Sequence, residues 1–418
     1  MSEARSLIVI GGGVIGLSTA WYALKRGFSV TLVERGKPDH DSCSLGNAGM
    51  VVPSHFVPLA APGMVAMGLR MMLNPESPFT IRPRLNRELL EWGWHFMRAA
   101  KPEQVRRVAP LLRDLNLQSR ACYEQLSEEF GNSFGLQKRG LLMLCQHEET
   151  LREEAHLAEE ATRLGLKAEV LNPSQLANLD PHIRMEVVGG VWFAQDCHLI
   201  PQKFVVGLTK ALEERGVRFV WGTEVQGWKV TAGRVEAAQT SNGDLRADEF
   251  VIAGGAWSPN LTRPLGVRLP MQAGKGYSMS LPNPPQMPEI CSILTEARVA
   301  VTPMGETLRF AGTMEITGTD LSVNEARVNG IRKSIPNYYP AFKPDDFKGV
   351  PVWSGLRPCS PDGLPYIGRF QRYKNLTAAT GHAMMGVSLA PITGRLVSEI
   401  LLGESPSVDI SPLRPDRF

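Results

Sequence analysis

Apolar and polar positions alternate along the N-terminal segment in a way that predicts a strand, a tight turn, a helix and a second strand. The apolar run Leu7-Ile8-Val9-Ile10 is followed by Gly11, Gly13 and Gly16, then by a helix-period apolar stretch that includes Val14 and Ile15. A second run, Val30-Thr31-Leu32-Val33, leads to Glu34. Short continuous apolar runs bounded by glycine read as strands buried on both faces of a parallel sheet. Gly11 permits the turn, Gly13 lets backbone approach a pyrophosphate, and Gly16 lets the helix sit close to its strand. The helix N-terminus then faces phosphate charge. Glu34 ends the second strand, where a carboxylate accepts from ribose hydroxyls and would repel a 2'-phosphate, which disfavours NADP. Glycines alone are weak evidence, but strand, helix and acid at these spacings make the pattern specific.

Downstream, the periods change several times. Residues 41–49 (Asp41, Ser42, Cys43, Ser44, Leu45, Gly46, Asn47, Ala48, Gly49) are small and polar, suited to wrapping a cofactor's phosphates and ribityl chain. Residues 60–73 are apolar and methionine-rich and precede Pro75, Pro78 and Pro83. They read as a packed helix, a lid over a pocket, or a patch that touches a membrane or partner. Residues 86–130 and 148–164 carry the three-and-four spacing of amphipathic helices, and 140–145 and 189–193 read as strands. The proline at Pro173 marks the start of a short helix near 172–176. A second helix–strand pair spans 201–221, followed by a meander over 228–240 with turns at Ala232-Gly233 and Asn242-Gly243. The strand at 248–253 runs into Gly254-Gly255-Ala256-Trp257-Ser258. Short strands at 277–281, 297–302 and 307–310 predict an antiparallel sheet, and a last strand, turn and long helix occupy 376–402.

Composition narrows the chemistry. With 418 residues and 43% hydrophobic content, the chain is large enough for two interleaved domains. Its 45 basic and 42 acidic residues leave a net charge of +3, which gives no field for steering nucleic acid. Cys43, Cys122, Cys145, Cys197, Cys291 and Cys359 form no C-x-x-C pair, so no metal site is expected and the thiols read as reduced. The first residues lack a basic secretion region, and no uninterrupted apolar stretch reaches membrane-spanning length. These features predict a cytoplasmic location. No second glycine fingerprint for NAD(P)H follows the first.

In order and spacing, Gly11-Gly12-Gly13-Val14-Ile15-Gly16, Gly46-Asn47-Ala48-Gly49, Gly254-Gly255-Ala256-Trp257-Ser258, Gly274-Lys275-Gly276-Tyr277-Ser278, Trp353-Ser354-Gly355-Leu356-Arg357-Pro358, Pro361-Asp362-Gly363-Leu364-Pro365-Tyr366-Ile367-Gly368 and Gly381-His382 to Gly386 resemble the D-amino-acid oxidase superfamily of FAD enzymes, in its bacterial D-amino-acid dehydrogenase-like branch. The resemblance implies an α/β chain: a Rossmann-like, glutathione-reductase-type FAD domain (1–52, 200–268, 350–418) interleaved with an α+β substrate domain on an antiparallel sheet (53–199, 269–349). It implies noncovalent FAD, since the position of Cys359 does not match the spacing of a covalent flavin link. Arg357 takes the role of substrate-carboxylate anchor, and a guanidinium forms the bidentate fork that lysine cannot. Tyr277 is carried over as a pocket residue and His55 as a possible contact for a polar substrate group.

Cofactor contacts carried over are Gly11, Gly13, Val14, Ile15, Gly16, Glu34, Arg35, Ser42, Asn47, Ala48, Gly49, Met50, Val225, Gly254, Gly255, Trp257, Gly381, His382, Met384, Met385 and Gly386. The implied reaction is oxidative deamination of a D-amino acid to a 2-oxo acid. A cyclic or secondary amine acid such as D-proline, hydroxyproline, glycine or sarcosine is the alternative substrate, and an FAD subunit of a hetero-oligomeric amine dehydrogenase is the alternative role. Electrons leave to oxygen, a quinone or a partner protein, the last two with peripheral association at the inner face of a membrane.

Overall fold

The computed structural model describes residues 4–40, 42–71, 74–82, 84 and 86–418. Of the segments singled out above, Met1 to Glu3, Asp41, Met72, Leu73, Pro83 and Leu85 lie outside the described residues. The N-terminal pattern folds as read. Strand Ser6–Ile10 is central in a six-stranded sheet, pairing in parallel with Ser29–Val33 on one side and Glu249–Ile252 on the other. Arg218–Val220 extends the first side, while Leu376–Thr380 and then Tyr366–Arg369 extend the second, the last strand antiparallel to its neighbour. Helix Val14–Lys25 packs against the long helix Gly386–Leu402. The approach is close because Gly394 faces the Ser18 carbonyl, where a Cβ would sit 2.4 Å from the oxygen.

Residues 383–402, interrupted by Arg395 and Glu399, are nonetheless long and apolar enough to cross a membrane. Their apolarity has another cause, since 78% of the window is buried inside the protein. Val387, Leu389, Ile392, Leu396 and Val397 fill the core between helix Val14–Lys25 and helix Pro102–Glu129.

The second sheet has nine strands. Val352–Cys359, Gln272–Pro282, Thr307–Ile316, Val299–Met304 and Cys291–Leu294 run antiparallel in that spatial order, and Leu141–Cys145, Gly189–Phe193 and Ala168–Leu171 continue it. It is mixed, not purely antiparallel: Leu141–Cys145 lies parallel to Cys291–Leu294, and Phe79–Ile81 parallel to Thr307–Ile316. The long connections between those partners leave room for crossovers. Because Val352–Cys359 pairs along Gln272–Pro282, the chain rejoins the six-stranded sheet only at Tyr366, beyond the junction expected at 350. Helix Glu325–Tyr338, which sequence periodicity did not single out, packs on this sheet through Val328, Ile331 and Ile335. The meander Val225–Thr231, Arg234–Thr240 and Gly243–Arg246 forms a separate three-stranded sheet.

Candidate active site

A cavity of about 800 Å³ runs from the glycine turn to the second sheet. That is near the upper end of the roughly 300–1,000 Å³ of small-molecule and cofactor sites. At its nucleotide end, Gly11 has φ +114°, and a Cβ there would lie 2.4 Å from the Ala253 carbonyl oxygen. At Gly13 a Cβ would meet only Ser44 Oγ, at 3.6 Å, and would fill the cleft instead. Val14 N–H donates to Ser44 Oγ at 3.0 Å, so a serine distant in sequence caps the helix that Gly13 itself cannot. Glu34 Oε2 accepts from Gly12 N–H at 2.7 Å and Oε1 from Gly36 N–H at 2.8 Å. Both oxygens are fixed at the cavity wall and retain lone pairs for a ribose. The Arg35 guanidinium stacks 3.9 Å over the Trp257 ring, tying the two glycine turns together.

Of the cofactor residues expected from sequence, Gly11, Gly13, Val14, Ile15, Glu34, Arg35, Ser42, Asn47, Ala48, Met50, Val225, Gly254, Gly255, Trp257, His382, Met384, Met385 and Gly386 line the cavity. Gly16, Gly49 and Gly381 do not. Each permits a close approach instead: a Cβ at Gly16 would sit 1.9 Å from the Gly11 oxygen, at Gly49 2.2 Å from the Leu199 oxygen, and at Gly381 2.7 Å from the Tyr366 ring. His382 reaches the cavity, but its Nε2 lies 2.9 Å from Thr393 Oγ1, whose own proton goes to the Leu389 carbonyl. Burial pushes its ring down to about 3, so it is a neutral structural group.

One feature in this region escaped sequence reading because it depends on distant contacts. Arg309, buried in strand Thr307–Ile316, donates from one nitrogen to the Leu45 and Asn47 carbonyls at 2.8 and 2.7 Å. It clamps the 45–47 loop from the second sheet. Helix Met64–Met71 turns Met64, Met67, Gly68 and Met71 toward the cavity. Of the three readings open from sequence, it is a helix that forms cavity wall.

Arg357 sits where the two sheets meet. Its guanidinium lies against Gly276, where a Cβ would approach the terminal nitrogens to 2.2 and 2.3 Å, and one nitrogen donates to the Thr313 carbonyl at 2.6 Å. Thr313 and Met314 bulge out of register opposite Gly276, and Thr313 has φ +70°, a left-handed conformation rarely adopted by a β-branched residue. That strain aims the carbonyl at Arg357. No carboxylate pairs with Arg357 among the described residues. Burial lowers its pKa, against the opposing influence of Cys43 and Cys359, but a guanidinium stays protonated.

Tyr277 lines the cavity, and its hydroxyl is engaged within the protein. It donates to Glu315 Oε1 at 2.5 Å and accepts from Asn324 N–H at 3.0 Å. Arg327 pairs with the other Glu315 oxygen at 3.4 Å, so the tyrosine belongs to a buried network that secures the loop ahead of helix Glu325–Tyr338. His55 lines the cavity beside Val52. Cys359 is fully buried and outside the cavity lining, with its thiol pushed up to about 12 by burial.

The chain matches the family described as FAD dependent oxidoreductase over residues 6–400. It is 31% identical to a D-amino acid dehydrogenase of Granulibacter bethesdensis over 99% of each chain, and 30% identical to one of Vibrio cholerae over 96% of each. In fold it is similar to glycine oxidase from Geobacillus kaustophilus, with TM-score 0.77 and 21% identity over 99% of this chain and 100% of that one. L-proline dehydrogenase from P. horikoshii superposes with TM-score 0.73 and 19% identity, over 100% and 98%. The cradle at Gly11 and Gly13, the Ser44-capped helix and the anchored Glu34 fit the dinucleotide half of FAD, and the chain belongs to the DAO family of FAD-dependent oxidoreductases.

Proposed function

We propose that this protein oxidises D-amino acids at Cα, giving an imine that water converts to a 2-oxo acid and ammonia. The observation that carries the reading is Arg357: a half-buried cation in the cavity wall, oriented by one carbonyl and unmatched by any carboxylate among the described residues. A substrate carboxylate completes that group by a two-bond fork. FAD, when bound, supplies the acceptor for the hydride leaving Cα. The protein's part is to hold Cα in line and keep water away, the positioning that accounts for much of such catalysis. Met64, Met67 and Met71 close the cavity with adaptable apolar surface, consistent with side chains of differing size. The test is anaerobic bleaching of the bound flavin by paired D- and L-amino acids, D-proline, hydroxyproline isomers, glycine and sarcosine. Bleaching by D-amino acids with ammonia release supports the reading; reduction only by the cyclic or secondary amines overturns it.

FAD is held noncovalently in this proposal, because Cys359 is sealed away from the cavity. Acid precipitation is expected to leave the yellow colour in the supernatant, and colour in the pellet would refute it.

The electron acceptor is a membrane quinone, and the protein works in the cytoplasm at the inner membrane face. Helix Arg87–Ala99 supports this more than the methionine segment does. It exposes Leu90, Trp94 and Met97 at 66%, 48% and 56%, on one stripe flanked by exposed Arg87, Arg98 and Lys101. An apolar stripe with a basic rim suits an anionic lipid surface. Replacing Leu90, Trp94 and Met97 together by serine is expected to abolish co-sedimentation with anionic vesicles, with dye-linked activity unchanged. Equal sedimentation of both forms would remove the stripe from this role.

A further inference from the structure

The cavity wall next to Val52 carries a linked set of side chains that carboxylate anchoring leaves unused. Ser54 donates from Oγ to Asp196 Oδ2 at 2.5 Å and from its backbone N–H to Oδ1 at 3.1 Å. The same Oγ lies 3.1 Å from His55 Nδ1. Asp196 is 1% exposed, in the turn between strands Gly189–Phe193 and Cys197–His198, and no cation pairs with it among the described residues. Arg120 on helix Pro102–Glu129 acts on it only at longer range, and the Cys197 and Cys291 thiols share its surroundings. Burial is the sole influence on His55 and pushes it down to about 4, so the ring is neutral.

The hydrogens then assign themselves. Ser54 Oγ has one proton, given to the ionised Asp196, so Nδ1 of His55 must donate to Ser54. Nε2 is left as a bare acceptor, with no partner among the described residues, on a residue that lines the cavity. A buried carboxylate without a cation is costly to keep, and a chain of hydrogen bonds leading from it to a cavity suggests a use.

We propose that Asp196, Ser54 and His55 form a proton relay that deprotonates the ammonium group of an amino acid whose carboxylate is held by Arg357. This rests on the function proposed above. The substrate N–H bond breaks and its proton goes to His55 Nε2. Nδ1 passes its proton to Ser54 Oγ, and Ser54 passes its own to Asp196 Oδ2. The substrate loses its positive charge and Asp196 its negative charge, while the imidazole ends neutral as the other tautomer. No lasting imidazolium is required. The nitrogen lone pair freed by this transfer is what forms the C=N bond as hydride departs from Cα. Burial holds Asp196 at about 7, so below that pH it is already protonated and the relay has nowhere to deliver the proton.

The experiment is anaerobic stopped-flow reduction of the holoenzyme by D-alanine across pH. For the wild type, the limiting rate is expected to rise through about pH 7 and level off. In Asp196→Asn and in Ser54→Ala, which leaves Asp196 in place, it is expected to fall roughly 100-fold near pH 7, the scale of a lost general base. It should then climb about tenfold per pH unit as solution base removes the ammonium proton instead. Infrared difference spectra should show a neutral carboxylic acid appearing when D-alanine binds the wild type and absent in Asp196→Asn. Wild-type pH profiles in both variants would overturn the relay while continued bleaching by D-alanine left amino-acid oxidation standing. A wild type that no D-amino acid bleaches would overturn both.

Discussion

Arg357→Ala is expected to bind FAD with undiminished stoichiometry and to lose about 3 to 5 kcal/mol in kcat/KM for D-amino acids, or roughly 150- to 4,000-fold. The size follows from where the guanidinium sits. It lies in the cavity wall against Gly276, away from competing carboxylates, with the strained Thr313 carbonyl taking one N–H. A carboxylate docking there exchanges water for charge-assisted bonds in a desolvated cleft, where such bonds are worth about twice a neutral pair. Truncation to alanine leaves the substrate's carboxylate buried without a partner, so the cost includes desolvation as well as lost attraction. Arg357→Lys should recover only part of the loss, because an ammonium cannot span both oxygens. Steady-state kinetics with one D-amino acid, alongside flavin content, decide the matter. Unchanged kcat/KM with full flavin occupancy would take Arg357 out of substrate binding.

Local rules made the nucleotide half of the site legible in the chain. Glycine spacing, apolar runs and the acid at Glu34 act within one strand–helix–strand unit, and the structure keeps their register with Ile10 opposite Val33. The residues that complete the site are joined across long sequence separations. Ser44 caps a helix thirty positions earlier in the chain, Arg309 clamps a loop 262 positions away, and Asp196 meets Ser54 at a separation of 142. No periodicity records such contacts. Tyr277 illustrates the same point from the other side: its place in the strand was readable, but whether its hydroxyl faced substrate depended on Glu315, 38 residues on. The parallel pairing of Leu141–Cys145 with Cys291–Leu294 was hidden for a like reason, since alternation along a strand reports which face is buried and not which neighbour lies beside it. Gly16, Gly49 and Gly381 do not face the cleft: close backbone at the first two, and the Tyr366 ring at the third, leave no room for a side chain.

Gly11→Ala is expected to cost the protein its cofactor, weakening FAD binding by more than about tenfold. Two separate penalties fall on the same methyl group. At φ +114° an L-residue is strained by about 1–3 kcal/mol, and the Cβ would lie 2.4 Å from the Ala253 carbonyl oxygen. That oxygen belongs to backbone following the neighbouring parallel strand, fixed by the Ala253 N–H bond to the Ile10 carbonyl at 2.8 Å, so it cannot swing aside as a long side chain would. Relief must come from moving residues 11–13. The Gly12 N–H then leaves Glu34, and the Val14 N–H leaves Ser44, the two contacts that hold the ribose-binding carboxylate of Glu34 and the helix N-terminus in place. Gly13→Ala provides the contrast: its Cβ meets nothing closer than Ser44 Oγ at 3.6 Å, so the fold should keep its melting temperature while the added methyl occupies cleft volume that the pyrophosphate needs. Flavin-to-protein ratio and thermal unfolding of the apo forms separate the cases. Gly11→Ala should lower both, Gly13→Ala the first alone, and full flavin content in either variant would contradict the cradle assigned to that residue.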